Sequence, residues 1–380
     1  MRSRLICTVG TSLLNNLKFS EEEAVKKAFE TKNWQQVTLL LLQRSNSDRL
    51  CGAEINSLTS ICNKGLLERR KNLIFLVSDT DDGKKTGDLL KLYYKNSSNP
   101  LKFEEEPEVR VLKGLRDDNV KAFKQLGLKN LVREISTEVR NFGPEAIAIN
   151  ATGGYKAQIS FAGMIGQALE IPVYYLFEKF SEVIELPPQP VSLDLAFWLN
   201  NYLLFEQLET EQTIKKSEIE GENENEYIQA LLDNEYIQAL LDEEQIDGVT
   251  YVTLSAMGVL FNERCRLQFA KQETTTLSLI PKDETAPERK TIDLREDHGK
   301  DILQAFAEKI RRSPYVKKII NSLPFNPKRT NPIRRTYPNG KIEFVLTWTD
   351  RGLGLCIQTT GRNLAETNSI ALHLAKEYKN

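Results

Sequence analysis

Two glycine turns hold the residue types that grip phosphate. The chain runs Leu5-Ile6-Cys7-Thr8-Val9 and turns through Gly10-Thr11-Ser12. Later it runs Ala146-Ile147-Ala148-Ile149-Asn150 and turns through Ala151-Thr152-Gly153-Gly154-Tyr155 into Lys156. A buried strand, a glycine turn and a helix start bearing a lysine present backbone N–H groups and one fixed cation to an anion. Two such turns on one sheet edge point to a phosphodiester ligand rather than a metal or an acyl substrate. The N–H groups of Thr11, Ser12, Gly153 and Gly154 would cradle phosphate oxygens while Lys156 neutralises their charge. Gly10, Asn150 and Thr152 complete these turns as candidate ligand-binding positions. A third loop, Ser78-Asp79-Thr80-Asp81-Asp82-Gly83, follows another apolar run and adds Asp79 and Thr80.

Charge marks a second region. The chain sets 51 Lys and Arg against 53 Asp and Glu, a net charge of −2, but the balance is segregated. Between Asn201 and Asp247 stand fourteen acidic residues and two lysines; from His298 to Asn380, fifteen basic residues face six acidic ones. A basic C-terminal module after an acidic stretch is the footprint of contact with RNA or DNA. Other chemistries lack material. The two histidines, His298 and His373, are too few for a histidine zinc site or a Ser-His-Asp triad, so no metal or cofactor is expected. The five cysteines are scattered and without a CxxC pair, as reduced thiols of a cytoplasmic protein would be. The absence of GxGxxG argues against a nicotinamide dehydrogenase. No apolar run approaches the roughly 18–20 residues that span a bilayer. A strand begins within four residues of Met1, so neither a signal peptide nor a membrane partner is expected.

At 380 residues, two or three domains are expected. Residues 1–185 alternate strand and helix. Strands are predicted at Leu5–Val9, Leu73–Ser78, Val109–Leu112, Ala146–Asn150 and Val173–Phe177. Helices fall between them at Glu21–Glu30, Leu50–Lys64, Gly87–Tyr94 and Asp118–Glu138, with another starting at Lys156. That order gives an α/β fold with a parallel, doubly wound sheet whose ligands lie at the strands' carboxyl ends. Pro187-Pro188-Gln189-Pro190 marks a boundary.

Residues 186–280 read as a helical, winged-helix-like middle segment. It holds an amphipathic helix at Leu193–Leu208 and a perfect nine-residue tandem repeat, Asn225–Asp233 then Asn234–Asp242. A strand at Val249–Val252 and the stretch Leu254–Phe261 follow. The repeat reads as a duplication within a surface helix or linker, or else as an acidic docking helix. Residues 281–380 predict a small α+β domain in the order β-α-α-β-β-β-α. Its strand at Lys290–Leu294 precedes a helical hairpin, Ile302–Ile310 and Val316–Leu323. Strands at Ile333–Tyr337, Ile342–Thr347 and Leu353–Thr359 lead to a closing helix, Leu364–Tyr378.

The first 185 residues resemble the CARF domain, the CRISPR-associated Rossmann-like fold that senses cyclic oligoadenylates. The resemblance is carried by VGTSLL at Val9–Leu14, SDTDDG at Ser78–Gly83, GLRDDNVKAFKQLGLKNL at Gly114–Leu131 and NATGGYKAQ at Asn150–Gln158. It implies a homodimer whose two sheets jointly hold a two-fold symmetric ring of four or six adenylates, since such a ligand matches an isologous interface. Some CARF domains are ring nucleases that cut their own activator, and these carry a serine and a lysine at positions that here are Ser12 and Lys156. In that event a ribose 2′-hydroxyl attacks the adjacent phosphorus. Ser12 and Lys156 orient the attack and stabilise the developing charge without a metal.

The last hundred residues are similar to RelE toxins, ribosome-dependent mRNA endonucleases. The carriers are the helical hairpin, the strand pair around PNGKIEFVLTW, and GRNLAETNSIALHLAKEY entering the last helix. The likeness implies a cluster of lysines and arginines on the sheet, with a terminal tyrosine in some members. Here Arg334 and Arg335, then Lys341, then Arg362 after Gly361 stand for that cluster, with Arg329 a further candidate. Tyr337, Glu343 or His298 would serve as general base. The sequence departs from the pattern where Asn368 stands in place of the tyrosine near the last helix start. Joined, the halves resemble CARF–RelE proteins of type III CRISPR systems, mRNA interferases switched on by cyclic tetra-adenylate. The partners so implied are a second copy, the cyclic oligoadenylate, mRNA and the ribosome.

Other readings compete. An arginine pair on an open sheet face would equally hold RNA backbone without cutting it. A HEPN nuclease needs an arginine more widely spaced before a histidine than Arg295 is before His298, so that class is set aside. A ligand-responsive transcription regulator would read DNA through the middle segment, whose acidity opposes phosphate contact.

Overall fold

Leu5, Ile6 and Cys7 leave no polar side for solvent, so a strand built from them has to be covered on both faces. In β1 (Arg4–Thr8) all five residues are buried. The structure, a computed structural model, describes residues 1–177, 182–186, 194–217, 235–296, 300–326, 332–347 and 352–378. The Pro187–Pro190 boundary, the first repeat copy, His298 and Arg329 lie outside the described residues. By internal contacts the chain divides into two compact units. One is Met1–Ser192 with Gln238–Asp242 and Ser255–Phe261; the other is Leu193–Ile237 with Glu243–Leu254 and Asn262–Asn380.

The first unit is built on β1, β2 (Asn72–Ser78), β3 (Glu108–Leu112), β4 (Ile147–Asn150), β5 (Val173–Tyr175) and β6 (Ile184–Glu185). They form one sheet in the order β3-β2-β1-β4-β5-β6. β1 to β5 run parallel, as their spacing predicts, and β6 turns back antiparallel on β5. From β1 the chain steps outward through β2 to β3, then returns to lay β4 on the other side of β1. Strand order therefore reverses between β1 and β4, where open α/β sheets bind their ligands.

Between the strands lie α1 (Ser12–Lys18), α2 (Glu23–Glu30), α3 (Trp34–Leu42), α4 (Gly52–Asn63) and α5 (Asp81–Lys95). Then come α6 (Val120–Ala122), α7 (Leu128–Phe142) and α8 (Lys156–Leu169). Leu5, Cys7, Phe75 and Val77 share a buried cluster with Leu13, Leu17, Ile55, Leu58 and Tyr93 of the covering helices. α5 starts earlier than its apolar period suggests because Thr80 caps it, Oγ1 accepting the Gly83 N–H at 3.1 Å. The helix predicted over Asp118–Glu138 is interrupted: a π-helical turn, Phe123–Gly127, separates α6 from α7. A Cβ on Gly127 would stand 2.6 Å from the Leu115 Cα, so glycine lets the loop after β3 lie flush against that turn.

In the second unit, α9 (Leu195–Asn200) and α10 (Tyr202–Glu211) replace the single helix predicted there, breaking at Asn201. Trp198 and Phe205 are fully buried, and Trp198 Nε1 donates to Asn262 Oδ1 at 2.8 Å. Next along the chain come β7 (Ile214–Lys215), α11 (Glu235–Leu240), β8 (Leu241–Ile246), β9 (Val249–Leu254) and α12 (Ala256–Ser278), of which Gln238–Asp242 and Ser255–Phe261 belong to the first unit; the strands are ordered β7-β9-β8. Asp247 and Gly248, at φ +51° and +78°, make the two-residue hairpin turn. The second repeat copy is thus helix over Glu235–Leu240 and enters strand only at Leu241 and Asp242. Its Ile237, Leu240 and Asp242 are buried, so it is a packed segment and not the surface helix or linker expected.

The chain closes with α13 (Lys300–Ile310), β10 (Val316–Asn326), β11 (Ile333–Thr336), β12 (Lys341–Thr347), β13 (Gly352–Thr359) and α14 (Leu364–Glu377). The strands form an antiparallel sheet ordered β10-β13-β12-β11. Phe306 of α13 stacks on Phe344 of β12 with centroids 5.6 Å apart, fixing the sheet's covered face. Two expectations fail here. Lys290–Leu294 is not a strand, and Ile292 makes a single isolated bridge to Ile319. Val316–Leu323, predicted as the second arm of a helical hairpin, is strand β10, so the order is α-β-β-β-β-α. Its apolar Val316, Ile319, Ile320 and Leu323 are spaced as on a helix face. Register shifts at Val316/Lys318, Ile319/Asn321 and Leu323/Asn326 each insert an extra residue and re-phase the strand, which produces that spacing.

All five cysteines are free and buried. Among the described residues no helix is long and apolar enough to cross a membrane.

Within the first unit, Asp242 at the end of the second repeat lies 3.5 Å from the ammonium of Lys129 on α7, both side chains buried. Removing one member of a buried ion pair is destabilising. Asp242→Ala is expected to destabilise the first unit by on the order of 3 kcal/mol, read by urea denaturation. A variant as stable as the parent would show that the pair contributes nothing.

Candidate functional site

Because β1 and β4 are neighbours, the turns that leave them lie side by side, and glycine is what permits the contact. A Cβ on Gly10 would stand 2.7 Å from the Gly154 nitrogen, and one on Gly153 would stand 2.9 Å from the Gly10 nitrogen. Gly154 has φ +113°, which side-chain-bearing residues rarely adopt. Thr8 Oγ1 donates to the Gly153 carbonyl at 2.5 Å and fastens the two turns together.

Over these turns opens a cleft of about 650 Å³. Of the predicted ligand residues, Gly10, Thr11, Asp79, Thr80 and Gly154 line it. Ser12, Asn150, Thr152, Gly153 and Lys156 are not among its lining residues. Asn150 is buried and acts as a bracket: Nδ2 donates to Ser57 Oγ at 2.8 Å while Oδ1 accepts the Thr152 hydroxyl at 2.7 Å. Thr152 Oγ1 in turn accepts the Leu176 N–H at 3.0 Å. Lys156 opens α8 directly after Tyr155, is exposed, and has no ion-pair partner among the described residues. Ser12 Oγ is turned to Glu54, donating to Oε2 at 2.7 Å.

The cleft's charge was not foreseen. Its lining includes Asp79, Asp81, Asp82, Asp117 and Asp118 against Lys84 and Arg116. The Lys84 ammonium, 2.9 Å from Asp79, and then the Gly114 N–H hold the Asp79 carboxyl below the usual range. Arg116 grips Asp118 with two bonds of 2.5 and 2.6 Å and lowers its carboxyl likewise. The Thr80 hydroxyl is committed to the cap of α5 and to Ser78 Oγ, 2.9 Å away. Tyr155 forms the far wall; burial, with Asp117 beside it, pushes its phenol up. Its ring meets Phe123 of the π turn edge-on, centroids 5.5 Å apart. Anions therefore have the helix starts at Thr11 and Tyr155, while hydrogen-bond donors have the carboxylate wall.

In the second unit the sheet gathers part of the predicted cluster around one carboxylate. Glu343 on β12 accepts the Tyr337 hydroxyl at 2.9 Å and lies 3.7 Å from Arg334 and 3.9 Å from Lys341. The Lys341 ammonium also sits over the Tyr337 ring, 4.6 Å from its centroid. A β-bulge between Ile333 and Arg335 sets Arg334 and Arg335 together opposite Glu343. Cys356, paired with Glu343 across β13, has its thiol pushed up by burial, an effect Lys341 opposes. Arg362 is held elsewhere: its guanidinium is paired with Glu366 and donates to the Leu279 carbonyl at 3.3 Å. Asn368, where a tyrosine was expected, is buried and donates to the Leu199 carbonyl at 2.7 Å. Among the described residues no group of His, Cys, Asp or Glu is arranged to hold a metal ion.

Residues 49–189 match the family model of a CRISPR-associated protein, Cas_APE2256. No curated protein matches the chain. Among solved structures, Can2 from Sulfobacillus thermosulfidooxidans in complex with cyclic tetra-adenylate is 10% identical, over 83% of this chain and 88% of that one, with a TM-score of 0.24. Protein VC1899 from Vibrio cholerae is 12% identical, over 95% of this chain and 78% of that one, with a TM-score of 0.25. At these scores nothing rests on either likeness.

Sequence reasoning missed Glu54, Lys84, Arg116, Asp117 and Tyr155. Arg116, Asp117 and Tyr155 stand inside quoted motifs, so proximity to a loop after a predicted strand could have found them. Glu54 lies in the first turn of α4, where an acidic residue is ordinary, and nothing local marks it. Gly154→Ala would force a Cβ into the φ +113° conformation. Such strain costs about 1–3 kcal/mol. Thermal melting should show a lower midpoint, and an unchanged midpoint would mean that the turn relaxes freely.

Proposed function

We propose that the first unit senses a cyclic oligoadenylate, cyclic tetra-adenylate in particular, as a homodimer, and that the ligand switches on a RelE-like endoribonuclease in the second unit. The protein would then be an ancillary effector of type III CRISPR defence, acting on mRNA at the ribosome. The observation that carries this reading is the cleft at the strand-order reversal, most of whose lining lies inside the stretch matching the CRISPR-associated family. Helix starts and Lys156 suit diester phosphates. The five aspartates suit adenine amino groups and ribose hydroxyls, which donate hydrogen bonds. A cyclic oligonucleotide offers both, whereas inorganic phosphate offers only acceptors. A ring with two-fold symmetry requires two copies of such a cleft.

For the effector, Arg334, Arg335 and Lys341 would hold the scissile phosphate and offset the charge that develops when a ribose 2′-hydroxyl attacks it. Glu343, through or beside Tyr337, would accept the proton. Arg362 would join only on release from Glu366. A signal from the cleft has a physical route within the first unit: Tyr155 abuts Phe123, whose π turn also carries Lys124, 3.8 Å from Asp242. Coupling of this kind is worth about 1–3 kcal/mol of differential binding.

Two experiments test the reading. Calorimetry with cyclic tetra-adenylate should show one ring per two chains, weakened about ten- to a hundredfold by Lys156→Ala. Absence of heat with every ring size would remove the sensor assignment. Ribosomes programmed with mRNA should suffer cuts within A-site codons only when the ring is present. Arg334→Ala with Arg335→Ala should leave ring binding intact and lower cleavage roughly a hundredfold or more. Magnesium-requiring cuts in naked RNA alone would discard the RelE-like assignment.

A further inference from the structure

Among the described residues, Tyr155 is the one aromatic side chain lining a cleft whose other walls are mostly glycine backbone, hydroxyls and charge. Its ring is held at several places. The hydroxyl is hydrogen-bonded to the Ser78 side chain and to the backbone of Asp117. Phe123 packs against the ring at 76°, centroids 5.5 Å apart. At its root the Tyr155 N–H donates to Oε1 of the buried Gln158 at 3.3 Å. The residue is thus tied at once to the end of β2, the loop after β3 and the start of α8. With its hydroxyl engaged, what it offers the cleft is a flat apolar surface already fixed in place. Docking on such a surface costs little side-chain freedom. Of the carboxylates on the wall, Asp117 acts on Tyr155 most strongly, ahead of Asp118, which Arg116 already grips.

We infer that Tyr155 is the platform on which a base of the bound ring stacks, and that Asp117 beside it accepts the base's exocyclic amino group. The inference rests on the reading of the first unit as a sensor of cyclic oligoadenylates, and it names the residues that read the base. Tyr155 directly precedes α8, so the platform adjoins the helix start that favours a phosphate. A nucleotide carries its flat base one sugar away from its phosphate and can meet both at once. Stacking alone tolerates any base, because every base has a π face. Discrimination therefore falls to the carboxylate. The adenine amino group donates hydrogen bonds and a carboxylate only accepts them. A base without that amino group keeps the stack and leaves the Asp117 carboxylate without the bond.

Tyr155→Phe and Tyr155→Leu separate a platform from a mere tie between loops. Phenylalanine keeps the face and loses the hydroxyl's bonds to Ser78 and Asp117; leucine loses both. The probes are cyclic tetra-adenylate and the same ring built on unsubstituted purine, which stacks but has no amino group. By calorimetry the parent should prefer the adenine ring about tenfold. Asp117→Ala, which leaves the backbone bond to Tyr155 in place, should abolish that preference and keep its affinity for the purine ring. Tyr155→Phe should bind the adenine ring within about threefold of the parent, and Tyr155→Leu should bind both rings roughly five- to fiftyfold more weakly. A ring built on 2-aminopurine, whose fluorescence falls on stacking, should dim on the parent, which stands in should Tyr155→Leu fold poorly. Undiminished binding by Tyr155→Leu, equal losses in the two tyrosine variants, or fluorescence undimmed on the parent overturns the platform. A parent that binds the adenine and purine rings alike overturns the role of Asp117. If the parent binds no ring of any kind, the sensor reading itself falls and this inference with it.

Discussion

The parallel pairing of β1 with β4 is the constraint from which the rest of the first unit follows. Arg4 to Cys7 lie in register with Ile147 to Asn150, so the two strands end level and their turns have to share one space. Backbone can pass backbone at that distance only without side chains, which is why Gly10, Gly153 and Gly154 stand there. The same pairing reverses the strand order, and the reversal opens the crevice at the carboxyl ends. Glycine here serves packing first; the open N–H groups that could meet a ligand come as a consequence.

That crevice has two chemical sides. Helix starts favour anions, while a row of aspartates refuses them and accepts donors. A simple anion site would not need the second side. Arg116 and Lys84, which could have drawn phosphate in, are each engaged with a neighbouring aspartate, so they shape the wall more than they charge it. A ligand that satisfies both sides has to carry negative charge and donor groups at fixed spacing, which is a stricter demand than phosphate binding alone.

Much of this was legible because the buried parallel strands β1, β2 and β4 are written as largely apolar runs, and all five predicted strands of the first 185 residues were found within a residue or two of their ends. The turn glycines were legible for the same reason. What stayed hidden depends on contacts distant in sequence. Glu54 matters because α4 delivers it to a turn more than forty residues earlier. The cleft's acidity arises only when the loops after β2 and β3 come together. The nine-residue repeat misled differently: one sequence reads as one structure, yet its second copy leaves the helix for strand β8 at Leu241, with Asp242 beside the buried Lys129. Tertiary contact outweighed local periodicity.

Bulges explain both the chief misreading of the second unit and its most suggestive feature. On β10 three extra residues shift the buried positions into a helical spacing, and a pattern-based reading follows the spacing. On β11 a single extra residue does something else: two successive arginines come to stand opposite the same residue of β12, Glu343. Glu343 then keeps Arg334, Lys341 and Tyr337 in one place without any phosphate present. Such a carboxylate has two consequences for an incoming anion. It has to be displaced from its cations, which weakens binding, and once displaced it is a proton acceptor already within reach of the reacting groups. On the function proposed above, a cluster of cations without Glu343 would hold RNA backbone more tightly and have less means to cut it, so the acid is the residue on which that proposal turns.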